Sequence, residues 1–273
     1  MEAPETVQEI FFSCRTETQV VTEHLIPMDG LAHVYAGEID VVAGDNRFTI
    51  GPGETVLFKR NQLAKFTKHP RDGQPFKTIS IFFTPAFLRE YYTRHEEVPK
   101  EAVAQQLLRF GRNPLFDSLF DSILPYYEVP GTLPKELIDH KLSESMTILR
   151  TLDKRIDGIL MDFAEPGKVD LAEFMQQNYA YNLSMERFGY LTGRSLATFK
   201  RDFQKIFQTS PQKWLLRRRL EQAHYLIAEK QQRPSEVYLE VGFENLSHFS
   251  TSFKQHFGYT PSSLAVSHLP NIL

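Results

Sequence analysis

A chain of 273 residues, 41% of them hydrophobic and 24% charged, has enough apolar material for two folded domains with their own cores, which excludes a disordered polymer. No apolar run approaches the roughly 18 residues of a membrane span, residues 1–10 are acidic rather than signal-like, and the lone Cys14 excludes an intrachain disulfide and a cysteine-rich metal site. The formal charge of −3 is the wrong sign for a uniformly basic nucleic-acid binder, and a cytoplasmic protein is expected.

The amino-terminal part reads as short strands at Leu31 to Tyr35, Glu38 to Val42, Arg47 to Ile50, Thr55 to Phe58 and Phe76 to Phe83. Turn chemistry at Gly37, Gly44-Asp45-Asn46, Gly51-Pro52-Gly53 and Asp72-Gly73 separates them, which predicts an antiparallel sandwich or barrel. From Pro85 the pattern turns helical, with helices expected at Phe87 to Tyr92, Lys100 to Phe110, Leu115 to Leu124 and Lys135 to Leu152. In the last of these Ile138, Leu142, Leu149 and Leu152 share a face that packs either on the barrel or on a second subunit. Glu165-Pro166-Gly167-Lys168 interrupts helix and marks a linker.

Beyond it the sequence says the same thing twice. A short helix at Met185 to Leu191 breaks at Thr192-Gly193, and Ser195 then caps a helix carrying Phe199, Phe203 and Phe207. Fifty positions later Glu236 to Val241 is short and partly apolar, Gly242 breaks it, and Asn245 or Ser247 caps a helix carrying Phe249, Phe253 and Phe257. Helix, tight turn and aromatic-backed second helix is the arrangement of a helix-turn-helix unit, which presents a recognition helix to the major groove of double-stranded DNA. Between the units Ser210 caps and Pro211 opens a helix running through Glu229, with Leu216, Leu220, Ala223 and Ile227 on one face. Its length of roughly 28 Å is close to the separation of about 34 Å between major-groove faces one turn apart.

Ser210-Pro211, Arg219-Leu220 with Ala223, Gly242-Phe243 and Gly258-Tyr259-Thr260-Pro261 fall in order over Leu183 to Pro261, and this segment resembles the DNA-binding domain of AraC-type transcription regulators. Three places depart from the pattern: Tyr238 stands where a small residue is usual, Thr251 where the second recognition helix commonly has arginine, and Ser262-Ser263-Leu264 replaces the aromatic-basic ending. In the first half, Gly37-Glu38-Ile39-Asp40-Val41 and Ile50-Gly51-Pro52-Gly53-Glu54 look like the cupin-type sensor domain attached to many such regulators. Together with Lys59-Arg60 these pieces are similar to activators of type III secretion genes.

The resemblance implies an α+β protein: a cupin-like antiparallel β-barrel over 1–85, a helical packing or dimerisation segment over 86–164, a linker at 165–169, and an all-α double helix-turn-helix domain over 170–273. It further implies a transcription regulator, by family habit an activator, with promoter DNA and RNA polymerase as partners, a small-molecule or protein effector, and a possible homodimer. No cofactor and no enzymatic role are expected. Splitting the charge supports this organisation: residues from Asp170 onward hold 12 Lys+Arg against 9 Asp+Glu, and the first 169 hold 19 against 25.

The expected DNA-facing set on the first recognition helix is Ala197, Thr198, Lys200, Arg201, Gln204 and Lys205. Arg201 suits a bidentate contact to guanine, Ala197 and Thr198 a thymine methyl, and Lys200 or Lys205 a phosphate. The alternatives are a solvated face for the lysines and an ion pair with Glu186 or Asp202 for Arg201. On the second helix the set is Ser247, His248, Ser250, Thr251 and Lys254, whose small side chains discriminate bases less. Of Arg217, Arg218 and Arg219, about 100° apart on a helix, at most two can face DNA, and Arg219 is expected to be partly structural. Trp214 and the phenylalanines are core. The competing classes are a cupin-type small-molecule enzyme and a protein-interaction module with incidental DNA affinity. A metal site needs several converging imidazoles. Tyr35 stands where a second one would accompany His33 and Glu38, so His24, His33 and His69 read as surface or hydrogen-bonded structural residues.

Overall fold

The computed structural model describes residues 9–21, 25–44, 46–95, 107–129 and 133–267. His24, Asp45, residues 1–8 and the stretch from Lys100 to Gln106 lie outside the described residues. The described residues up to Ala164 form one compact unit and those from Glu165 another, in a mixed α+β architecture.

In the first unit, strands β1 (Ile10–Arg15), β2 (Gln19–Val20), β3 (Leu25–Ile26), β4 (Asp29–Ala36), β5 (Glu38–Ala43), β6 (Asn46–Ile50), β7 (Thr55–Phe58), β8 (Gln62–Leu63), β9 (Lys65–His69), β10 (Phe76–Phe83) and β11 (Leu107–Phe110) pair antiparallel. They build a five-stranded sheet in the order β1-β10-β4-β7-β11, a four-stranded sheet β2-β9-β5-β6, and the pair β3-β8. The predicted turn positions Gly37, Gly44, Gly53 and Gly73 all lie between strands.

Alternation puts both faces of the five-stranded sheet to use. Val34, Val56 and Phe76 join Val41 and Ile50 in a core between strands, while Leu31, Leu57, Ile79, Ile81 and Phe83 face the helices. Those helices are α1 (Pro85–Arg94), α2 (Pro114–Asp121), α3 (Lys135–Leu152) and α4 (Ile156–Leu160). Thr84 and Asn113 cap α1 and α2 through their side chains, each ahead of a first-turn proline. Leu142 and Leu149 of α3 are buried in this core with Ile138 and Leu152 packed against it, so the face the sequence assigned to core or to a partner is core. Tyr35 Oη donates to Asp121 at 3.0 Å, tying β4 to α2.

Two helices are corrected. Lys100 to Phe110 reads as helix, but Leu107–Phe110 is strand β11, paired residue for residue with β7 from Leu107 opposite Phe58 to Phe110 opposite Thr55. A four-residue apolar run fits either element by periodicity, and here it covers the open edge of β7. The helix expected to reach Leu124 stops at Asp121, and a separate 3-10 turn follows at Leu124–Glu128.

A charged clasp closes the unit. Asp29 is 3% exposed and accepts the Arg60 backbone N–H at 3.0 Å, while Lys59 Nζ reaches Asp162 at 2.6 Å and Arg60 Nη2 donates to the Asp162 carbonyl at 2.9 Å. Burial outweighs the Arg60 neighbour and pushes the Asp29 carboxyl up to about 6.

The second unit consists of α5 (Leu171–Asn178), α6 (Met185–Leu191), α7 (Leu196–Phe207), α8 (Pro211–Ala228), α9 (Pro234–Glu240), α10 (Leu246–Phe257) and α11 (Pro261–Ser267). It has two cores. Phe188, Phe199, Phe203 and Trp214 centre one, and Leu220, Ala223, Ile227, Phe249 and Phe253 the other. Helix α8 contributes Trp214 and Leu215 to the first and Leu220 onward to the second, so its buried side swings between Leu215 and Leu220. That swing leaves Leu216 39% exposed, which corrects its placement on a single apolar stripe. Tyr238 packs at the margin of the second core.

Arg219 sits where α8 passes from one core to the other. Its Nε donates to the Tyr179 carbonyl at 2.8 Å, Nη2 to the Tyr181 carbonyl at 2.8 Å and Nη1 to the Gly242 carbonyl at 2.9 Å. Burial pushes its ionisation down to about 10, so it remains a cation at neutral pH. Gly242 has a φ of 92°, and a Cβ there would lie 2.7 Å from the Ala180 carbonyl oxygen and 3.0 Å from Arg219 Cζ.

Two outcomes follow for stability. Because folding raises the Asp29 ionisation from 3.8 to about 6, its contribution is present at low pH and is lost as pH rises through about 6. The first unit should therefore gain about 1–3 kcal/mol from this group between pH 7.5 and 4, and Asp29→Asn should abolish that part in pH-dependent denaturation; an unchanged profile refutes it. In the second unit, Arg219→Lys keeps the charge but replaces three separate donor nitrogens with one, so calorimetry should show about 2 kcal/mol less stability, and no loss would contradict the joint.

Candidate nucleic-acid interface

Helices α7 and α10 are matched copies, 12 residues each. Ser195 caps α7 by accepting from the Thr198 N–H, and Asn245 caps α10 by accepting from the Ser247 and His248 N–H groups. Of the two residues proposed to cap α10, Asn245 does so, and Ser247 instead lies in the first turn. Both helices end in a left-handed residue, Gln208 at φ 55° and Gly258 at φ 87°. Phe199, Phe203, Phe249 and Phe253 are fully buried, which fixes the rotation of each helix about its axis and decides which side chains face outward.

All the sequence-derived outward positions are exposed except Thr198 and Ser250, which are half-buried. Ala197, Lys200, Arg201, Gln204 and Lys205 are exposed on α7; Thr198 is half-buried, and its hydroxyl accepts from Ser195 Oγ at 3.0 Å. Ser247, His248, Thr251 and Lys254 are exposed on α10, and Ser250 is half-buried. The His248 ring lies 5.5 Å from that of Phe243. Arg201 is 65% exposed, and its Nε stands 3.6 Å from Asp202, the neighbour the sequence offered alongside Glu186. An exposed contact of that length is weak and holds the guanidinium loosely. Thr251 is exposed at the place matching Arg201, so the two copies share a scaffold and differ in chemistry.

Of the arginine triplet, Arg219 is committed within the protein, while Arg217 and Arg218 are exposed. Arg219 is the joint described above. Arg217 and Arg218 both approach Glu221, at 3.7 Å and 3.5 Å, and Arg218 also lies over the Tyr179 ring at 5.5 Å. Exposed Leu216 lines a cleft of about 430 Å³ between the halves of this unit, with Leu183, Met185, Phe243 and His248.

One residue the sequence did not single out is Arg194, in the turn before α7. Its side chain is 7% exposed, its Nε reaches Asp202 at 3.2 Å, and Nη1 donates to the carbonyls of Thr192 at 2.7 Å and Val169 at 3.1 Å. Asp202 is held below the usual carboxylate range first by Arg194, with Arg201 and Lys168 adding to it.

In the first unit His33 is buried, its Nδ1 lies 2.9 Å from Thr55 Oγ1, and its ring stacks on Phe120 at 4.8 Å. Burial lowers its basicity. His69 Nε2 pairs with Asp40 at 3.1 Å. Among the described residues no group of three or more His, Cys, Asp or Glu side chains could hold a metal, and no helix is long and apolar enough to cross a membrane.

Comparison with known proteins agrees with this geometry. Residues 191–265 match a helix-turn-helix domain family, and residues 29–155 match the ExsA N-terminal regulatory domain family. The HTH-type transcriptional regulator ExsA of Pseudomonas aeruginosa is 24% identical over 86% of this chain and 84% of its own length. The virulence regulon transcriptional activator VirF of Yersinia enterocolitica is 24% identical over 89% of this chain and 90% of its own. A crystal structure of an apo ToxT variant from Vibrio cholerae aligns with 96% of this chain and 98% of that one, at 14% identity and a TM-score of 0.47. With both of its domains matched in the right order, the chain is an AraC-type transcription regulator, a DNA-binding protein whose carboxyl-terminal helix-turn-helix domain follows an ExsA-type regulatory domain.

Proposed function

We propose that α7 and α10 enter adjacent major grooves on one face of a promoter, with α7 reading sequence and α10 chiefly holding register. The observation that carries this is the matched pair of helices, buried along equivalent phenylalanines and joined through Arg219, with the outward side chains concentrated on one side of each. Arg201 contacts guanine by its fork, while Ala197 and Thr198 meet a thymine methyl. Lys200, Lys205 and Lys254 neutralise phosphate, and Gln204, Ser247, His248, Ser250 and Thr251 make the remaining polar contacts. The modest positive balance of the second unit means that nonspecific attraction is small, so such contacts have to account for most of the affinity.

The protein acts in the cytoplasm as an activator that brings RNA polymerase to its promoter, in keeping with relatives named as regulators and activators of transcription. The first unit receives the signal, a small molecule or a protein, and supports a homodimer. It has no catalytic part in this reading, since the family's members are regulators rather than enzymes.

Fluorescence anisotropy on an operator selected from genomic fragments tests the assignment. Arg201→Ala should cost about 1–3 kcal/mol and relax the preference at one base pair, whereas Thr251→Ala should cost less. Lys200→Ala or Lys205→Ala should weaken all sequences alike and lower the salt slope by about one. Full affinity and unchanged selectivity for Arg201→Ala would refute the readout.

A further inference from the structure

The segment that opens the second unit is seated on the turn of its first helix-turn-helix rather than passing freely over it. The Tyr190 hydroxyl donates to the Glu165 carboxylate. Gly193 adopts a φ of 64°, and a Cβ on it would fall 2.5 Å from the Gly167 carbonyl carbon and 2.6 Å from the Lys168 nitrogen, so backbone lies directly against backbone. Arg194, next in sequence, grips the Val169 carbonyl with one nitrogen and Asp202 with another. Asp202 in turn lies within α7 and gives its other carboxylate oxygen to Arg201 at 3.6 Å.

We propose that Arg194 is a positioning residue for DNA readout: seated on residues 165–169, it occupies Asp202 and so keeps that carboxylate from drawing Arg201 off the groove. The reason is stoichiometric. A carboxylate can accept a bidentate guanidinium fork, and a fork held by Asp202 is unavailable to the O6 and N7 atoms of guanine. With Arg194 on one oxygen, Arg201 keeps only a long, solvent-exposed contact. Once Arg194 is withdrawn, both oxygens turn to Arg201. The seating of residues 165–169 thereby becomes an input to base selectivity, since whatever lifts Val169 away removes one of the contacts that hold Arg194 in place.

This rests on Arg201 as the base reader, and the test keeps the two claims separable. With the full chain, affinity is measured for the selected operator and for the same duplex with the guanine pair replaced, at one salt concentration, and the ratio is the readout. Arg194→Ala should lower the ratio about tenfold with helical circular dichroism retained, and Arg194→Ala with Asp202→Asn should restore it to within about twofold. A double variant as poor as the single one, or a single variant with an undiminished ratio, overturns the relay. Should Arg194→Ala unfold, Asp202→Asn alone decides: a ratio at or above the parent's supports the relay, and a tenfold fall overturns it. Arg201→Ala with an undiminished ratio would instead remove the base-reading claim beneath it.

Discussion

One guanidinium joins the two halves of the DNA-binding unit. Arg219 donates to Tyr179 and Tyr181, which precede the first helix-turn-helix, and to Gly242, in the turn of the second. A lysine's donors all radiate from one nitrogen, whereas the guanidinium spreads Nε, Nη1 and Nη2 so that each meets its own carbonyl. The cost of burying the cation is offset by its three hydrogen bonds to backbone carbonyls. Gly242 belongs to the same device, since the close approach of Ala180 and Arg219 leaves no room for a Cβ. The turn that breaks the helix and the joint that fixes the spacing are thus one feature.

On that frame the duplication supplies equal scaffolds with unequal chemistry. Caps, left-handed ends and phenylalanine faces repeat between α7 and α10, so the orientation of each helix is set by the same packing. Outward, α7 carries Lys200, Arg201 and Lys205, against Lys254 and small polar groups on α10. The two copies of one motif therefore present different side chains on the same scaffold. The first unit closes in a related manner at its far end, where Lys59 pairs with the Asp162 carboxylate and Arg60 donates to the Asp162 carbonyl.

Much of this was legible where the signal is local. Ser195, Asn245 and Pro211 announce helix starts by their own hydrogen-bonding and backbone chemistry, and phenylalanines every four residues announce a buried face. Thr55–Phe58 and Phe76–Phe83 were legible as strands because they combine β-rich composition with flanking turns. What failed depends on distant partners. Leu107–Phe110 is strand only because β7 offers an edge, and the two-residue strands β2, β3 and β8 are too short to carry a period. Leu216 matched a periodic stripe, yet the core it would serve ends at Leu215. Arg194 had no pattern to betray it, since its partners Val169 and Asp202 converge on it only in three dimensions.

The central claim is that a rigid joint presents two recognition helices to successive grooves on one side of the duplex. Hydroxyl-radical footprinting of the full chain on a selected operator measures this directly. The account predicts two protected patches per binding site, centred about 10 base pairs apart and in phase on one face. A single patch, or two patches half a turn out of phase, would contradict it.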